Sequence, residues 1–176
     1  MTAPLPGFIA IDQRCLLGEE HAILFDIYII QRINDTPTPI LLIGKETPVA
    51  AVRDILTAKR NRLGTLYIKK DAAQDFQEFM EDSLHLLIVD PAMPEAEKSK
   101  FVYECAKNVL ADVFDDPRSG KNLARTRKVT DHMVDFILTS HGSVLNLLNL
   151  GSHDYYTFSH CVNVAVFSLG LWLMIG

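Results

Sequence analysis

The sequence is poor in cysteine and has no excess of basic residues. Its three cysteines, Cys15, Cys105 and Cys161, lack the close spacing of a zinc site or a redox pair. This argues against a disulfide framework and predicts reduced thiols in a cytoplasmic protein. Lysine and arginine number 17 against 22 aspartates and glutamates, a net charge of −5. Because phosphates attract basic surfaces, we expect neither nucleic acid nor an anionic membrane as a partner.

The sequence also lacks the pattern of a secretory signal and that of a membrane-spanning helix. The N-terminal segment has neither the basic residues nor the long apolar core of a secretory signal, which again predicts a cytoplasmic location. Charged residues are absent from the last 16 residues, 161–176, but this stretch contains Asn163 and Ser168. A membrane span needs roughly 20 predominantly apolar residues. The sequence therefore predicts a helix buried in a protein core and no membrane partner.

Residues 1–92 have the texture of a small α+β module. The apolar run from Ile23 to Ile30 and the run from Ile40 to Ile43 flank the turn-rich segment 34–39, which predicts a hairpin with a longer loop. A helix ending near Lys59, a strand over 65–69 and an acidic helix from about residue 71 complete the module. We expect an α+β fold in which an all-α helical region follows this module.

Beyond residue 92 the apolar residues recur at helical spacing. One helix is expected to end at Asp115, and a second is predicted from Leu123 to Thr139 with Val129, Met133, Phe136 and Ile137 buried. A short apolar helix up to Leu150 completes a connector over residues 93–151. The last helix is expected to start near Thr157.

Polar residues are concentrated at the start of this last helix. Asp154, Tyr156, Thr157, His160 and Val164 form the pattern D-x-Y-T-x-x-H-x-x-x-V. A single histidine beside an apolar stripe is usually a core residue. This pattern, however, resembles the opening helix of an HD-GYP domain, a bacterial phosphohydrolase module associated with cyclic di-GMP breakdown. Cys161 stands where serine is usual in that family.

The resemblance implies that residues 152–176 are the first helix of a truncated HD-GYP domain. It makes His160 the first imidazole ligand of an iron or manganese centre. The HD pair followed by a small-residue turn and lysine, and the later GYP tripeptide, do not occur in the chain, since His153-Asp154 is followed by two tyrosines. One histidine cannot hold a catalytic metal, because such sites need three or more protein ligands. We expect no catalytic residue, no cofactor and no hydrolysis in this chain alone.

The segment Glu97 to Ser119 and the N-terminal module also resemble parts that accompany the family. The resemblance therefore covers nearly the whole chain, and it implies the regulatory or oligomerisation part of a cyclic di-GMP phosphodiesterase. On this interpretation the chain forms homo-oligomers and meets a cyclic dinucleotide only through the missing part of the domain.

Two other patterns compete with this interpretation. The string Leu86 to Pro94, LLIVDPAMP, looks like a receiver-domain strand that ends in a phosphoacceptor, which would be Asp90. Gly44-Lys45, however, stand where a receiver places two acidic residues for Mg²⁺, and the end of a helix is the simpler interpretation of Asp90. A basic cluster is a second candidate, as a phosphate-binding site or as a solvated helix face; its members are Arg118, Lys121, Arg125, Arg127 and Lys128.

Overall fold

The structure is a computed structural model that describes residues 5–16, 22–59, 64–140, 142–151 and 157–175. The described residues form a four-stranded antiparallel sheet and six α-helices, so the predicted α+β class with a helical region is confirmed. The chain divides into two compact units, Met1–Ser83 and Leu84–Gly176, called here the N-terminal unit and the helical unit. The division into three parts at residues 92 and 151 stays a prediction.

The N-terminal unit is built on one sheet with strand order β1-β4-β2-β3. Buried aliphatic residues from all four strands pack with the first turns of α1, and Phe25 meets Phe76 and Phe79 of α2 edge to face at 5.4 and 5.5 Å. The elements are β1 (Phe8–Ile11), β2 (Ile27–Ile33), β3 (Thr36–Ile43), α1 (Val49–Lys59), β4 (Leu66–Lys69) and α2 (Ala73–Val89).

The predicted hairpin forms, but its predicted loop over residues 34–39 is wrong. The turn consists only of Asn34 and Asp35, whose φ angles of 50° and 60° are the left-handed values that a two-residue hairpin turn requires. Strand β3 therefore begins at Thr36 and contains Pro37 and Pro39. Proline is tolerated there because β3 is an edge strand: among the described residues it pairs with β2 alone, and N–H groups on its outer side need no strand partner.

The helical unit contains the end of α2 and four further helices, α3 (Glu95–Asp115), α4 (Gly120–Thr139), α5 (Ser143–Gly151) and α6 (Thr157–Ile175). The four buried positions predicted for α4 are confirmed. The helix starts at Gly120, earlier than predicted, because the Ser119 hydroxyl accepts a hydrogen bond from the Asn122 N–H at 3.2 Å. Glu95 accepts the Gly142 N–H at 2.9 Å, which links the first turn of α3 to the start of α5.

The receiver interpretation of Asp90 is wrong. Residues Leu86 to Val89 are the last turn of α2, whose buried residues Met80, Leu84 and Leu87 recur at helical spacing. A short apolar run does not by itself distinguish a buried strand from a buried helix. Asp90 follows the helix and accepts the Ala92 N–H at 2.9 Å, so it forms the turn that ends the helix.

Candidate functional site

The start of α6 is the candidate site, and two of its predicted residues, Asp154 and Tyr156, lie outside the described residues. Thr157 and His160 occupy the first turn of α6, and both side chains are exposed. The imidazole is therefore not a buried core histidine within this chain.

The two faces of α6 differ in burial. Ser159, Val162 and Val166 are buried in the helical unit. The opposite face, called here the motif face, is exposed and follows the helical spacing i, i+3, i+7, i+10 and i+14. It consists of Thr157, His160, Val164, Phe167 and Leu171. The residues that carry the HD-GYP resemblance thus continue directly into an exposed apolar stripe.

The prediction that the last helix is a buried core helix is wrong within this chain. Only 17% of an apolar stretch of 18 residues in α6 is buried. By length and composition alone α6 is able to cross a membrane, a test that a core helix of a soluble protein also passes. That no membrane is a partner stays a prediction.

The described residues do not fit a metal centre. Within the described ranges, no group of three or more histidine, cysteine, aspartate or glutamate side chains is placed to hold an ion. Among the described residues, His160 is part of no such group. Burial raises the pKa of the Cys15 thiol to about 12, so that thiol stays protonated at neutral pH. No catalytic step follows from this arrangement.

The contact between α5 and α6 was not expected from the sequence. The Asn163 Nδ2 group donates to the Gly151 carbonyl oxygen at 3.2 Å, and a Cβ atom on Gly151 would lie 1.8 Å from Asn163 Oδ1. Farther along α6, a Cβ atom on Gly170 would lie 2.9 Å from Val144 Cγ1. These two glycines let α5 and α6 approach closely, because neither has a side chain. In the sequence, the presence of glycine at these positions was the only signal of this close contact.

The members of the basic cluster differ in their burial and in their contacts. Arg125 is 12% exposed and pairs with Asp112 of α3 at 2.8 Å, so it helps to hold α3 against α4. Arg118 and Lys121 are exposed near the start of α4. The structure thus gives Arg125 a packing role, while phosphate binding by Arg118, Lys121 and Arg125 stays a prediction.

An open cleft of about 150 Å³ in the described part of the N-terminal unit bears on ligand binding. Asp26 fixes one wall, because its carboxylate accepts the Lys45 N–H at 2.8 Å and the Tyr28 hydroxyl at 3.1 Å. Lys69 and Asp71 bring further charges of both signs to the lining. Mixed charge in an open cleft does not select a ligand class.

Comparisons with known proteins give a likeness of fold. No protein-family model matches the sequence, and no curated protein matches it. A solved structure does match: Bd1817, an HDG"Y"P protein from Bdellovibrio bacteriovorus, with a TM-score of 0.55 and 19% sequence identity. The match covers 96% of this chain and 54% of that protein, so this chain spans about half of its length. At this identity the likeness shows a shared fold and no more.

Proposed function

We propose that this chain is the N-terminal regulatory and oligomerisation part of an HD-GYP-type cyclic di-GMP phosphodiesterase, and that by itself it does not hydrolyse the nucleotide. The observation that carries the proposal is the motif face of α6. Its exposed Thr157 and His160 stand at the positions that the resemblance assigns to the first metal-ligating helix. The fold shared with an HDG"Y"P protein over 96% of the chain supports the same assignment.

The motif face also favours an oligomerisation role over ligand sensing. Val164, Phe167 and Leu171 remain exposed on a helix whose opposite side is packed as far as Val166, and apolar stripes of this kind mark interaction surfaces. The cleft of the N-terminal unit is the alternative, but its charges are mixed and it is open. We therefore assign the chain a role in assembling or orienting a hydrolase domain.

The first prediction concerns catalysis. Incubated with cyclic di-GMP and Mn²⁺ or Fe²⁺, the purified chain should give no product above a blank that contains the metal alone. The physical reason is that a single exposed imidazole does not fix an ion in the coordination geometry that activates water. Chromatographic detection of the linear dinucleotide measures the result. Turnover that follows the protein through successive purification steps would contradict the proposal.

The second prediction concerns His160. In this chain, His160→Ala should change the free energy of unfolding by about 1 kcal/mol or less, because the side chain is exposed. In a longer protein that contains a complete HD-GYP domain, the same change should sharply lower both the bound metal and the activity. Thermal unfolding of the chain and metal analysis of the longer protein test the two halves. Unchanged metal content would refute the assigned ligand, and unfolding of the chain would make His160 structural.

A further inference from the structure

Two histidines that are 47 positions apart in the sequence meet in the helical unit. His85 lies in the part of α2 that belongs to this unit, and His132 lies in the middle of α4. Their rings stack with centroids 5.7 Å apart and planes 26° apart. His132 Nε2 is shielded from solvent and has no hydrogen-bond partner among the described residues. Imidazole changes charge near neutral pH, so a stacked contact in which His132 Nε2 is shielded is sensitive to protons.

The surroundings of His132 oppose its protonation on balance. Its pKa is lowered from the ordinary value of 6.5, first by burial and then by the neighbouring His85 and Lys128. Asp135 and Asp131, on the same helix, raise the pKa and offset part of this effect. The carboxylate of Asp112, on α3, is paired with Arg125, which lies two turns before His132 on α4. Helix α5 has no ionisable side chain, and α6 has only those of His160 and Cys161.

We propose that His85 and His132 form a proton-sensitive contact that holds the end of α2 against α4 while His132 is neutral. A proton on His132 places a positive charge on a partly buried ring whose Nε2 has no hydrogen-bond partner among the described residues, which costs free energy. Acidification therefore weakens this contact and loosens residues 84–89. The chain then responds to pH whether or not it is part of a phosphodiesterase.

The direction of the pH effect follows from proton linkage. Because the pKa of His132 is lower in the folded chain than in the unfolded chain, the unfolded chain binds protons more readily below neutral pH. The contribution of the contact to stability is fully present above pH 6.5 and is lost as the pH falls from 6.5 through the pKa of the folded state. Acid should therefore destabilise the helical unit in this window.

The test combines a local and a global measurement on the whole chain. NMR titration of the His132 ring protons should give a midpoint below 6.5, and His85→Gln should move that midpoint upward. Amide exchange of residues 84–89, corrected for its intrinsic dependence on pH, should accelerate between pH 7.5 and 5.5 in the wild-type chain. In His85→Gln this acceleration should be reduced.

Thermal unfolding supplies the global comparison. The melting temperature of the wild-type chain should fall more steeply between pH 7.5 and 5.5 than that of His85→Gln/His132→Gln. His160→Gln removes an exposed imidazole, leaves the pair intact and serves as the matched control, which should keep the wild-type slope. Equal slopes for the double variant and the wild type would overturn the proposal. A His132 midpoint at or above 6.5 in the wild-type chain would also overturn it, without needing a variant that folds.

Discussion

Gly151→Ala should destabilise the helical unit by about 1–3 kcal/mol, the usual range for overpacking a close contact. The new methyl group would lie 1.8 Å from Asn163 Oδ1 and 2.4 Å from Asn163 Cγ, so the two side chains cannot occupy their present positions together. If Asn163 turns away, its hydrogen bond to the Gly151 carbonyl oxygen is lost. If Asn163 keeps its position, α5 must instead move away from α6. Chemical denaturation followed by circular dichroism measures the loss.

Gly120 and Asn163 provide the controls for this prediction. A Cβ atom on Gly120 meets nothing within 4 Å, so Gly120→Ala at the start of α4 should be neutral or stabilise by up to about 1 kcal/mol. In an Asn163→Ala background the clash is absent, and Gly151→Ala should then cost much less than it does alone. Strictly additive effects of Gly151→Ala and Asn163→Ala would show that the two residues do not interact as described.

Phe167→Gln/Leu171→Gln should convert a self-associating chain into a monomer. Phe167 and Leu171 are 62% and 58% exposed and lie one turn apart on the motif face. Water is a poor solvent for such a stripe, and a second copy can cover it, so the wild-type chain should associate increasingly with concentration. Glutamine is a good helix former, and it removes the apolar surface while it preserves the helix. Sedimentation velocity over a range of concentrations tests this.

A matched variant separates this stripe from apolar surface in general. Leu123→Gln/Leu145→Gln also removes two large exposed side chains, 52% and 69% exposed, from α4 and α5. It should leave the association unchanged. A clean monomer at high concentration would contradict the prediction for the wild-type chain. Equal loss of association in both double variants would show that the contact is not specific to the motif face.

These two predictions concern different contacts of the same helix. Gly151 and Asn163 hold α6 against α5, whereas Phe167 and Leu171 lie on the motif face. A chain that associates through the motif face while it keeps the contact between α5 and α6 would match the proposed role of orienting a partner domain. Loss of stability in Gly151→Ala and loss of association in the glutamine variant should therefore occur independently.

The sequence by itself predicted most of the secondary structure of the helical unit. In α4, apolar residues at helical spacing correctly identified Val129, Met133, Phe136 and Ile137 as buried, because an amphipathic pattern directly reports which side of a helix leaves water. The predicted last helix is present from Thr157, the first residue that the structure describes after Gly151. The pattern of Thr157, His160 and Val164 indicated a family, but local spacing carries no information about whether other ligands surround a metal.

Only the tertiary structure decided which surfaces meet. Helix α6 is apolar on all sides, so no stripe in its sequence distinguishes the packed face of Val162 from the exposed face of Phe167. The partners His85 and His132, Arg125 and Asp112, and Gly151 and Asn163 lie on different helices, and their contacts depend on how those helices cross. Helical spacing is a property of one segment and can be read from its residues. Contacts between segments depend on the packing of the whole unit, which no single segment encodes.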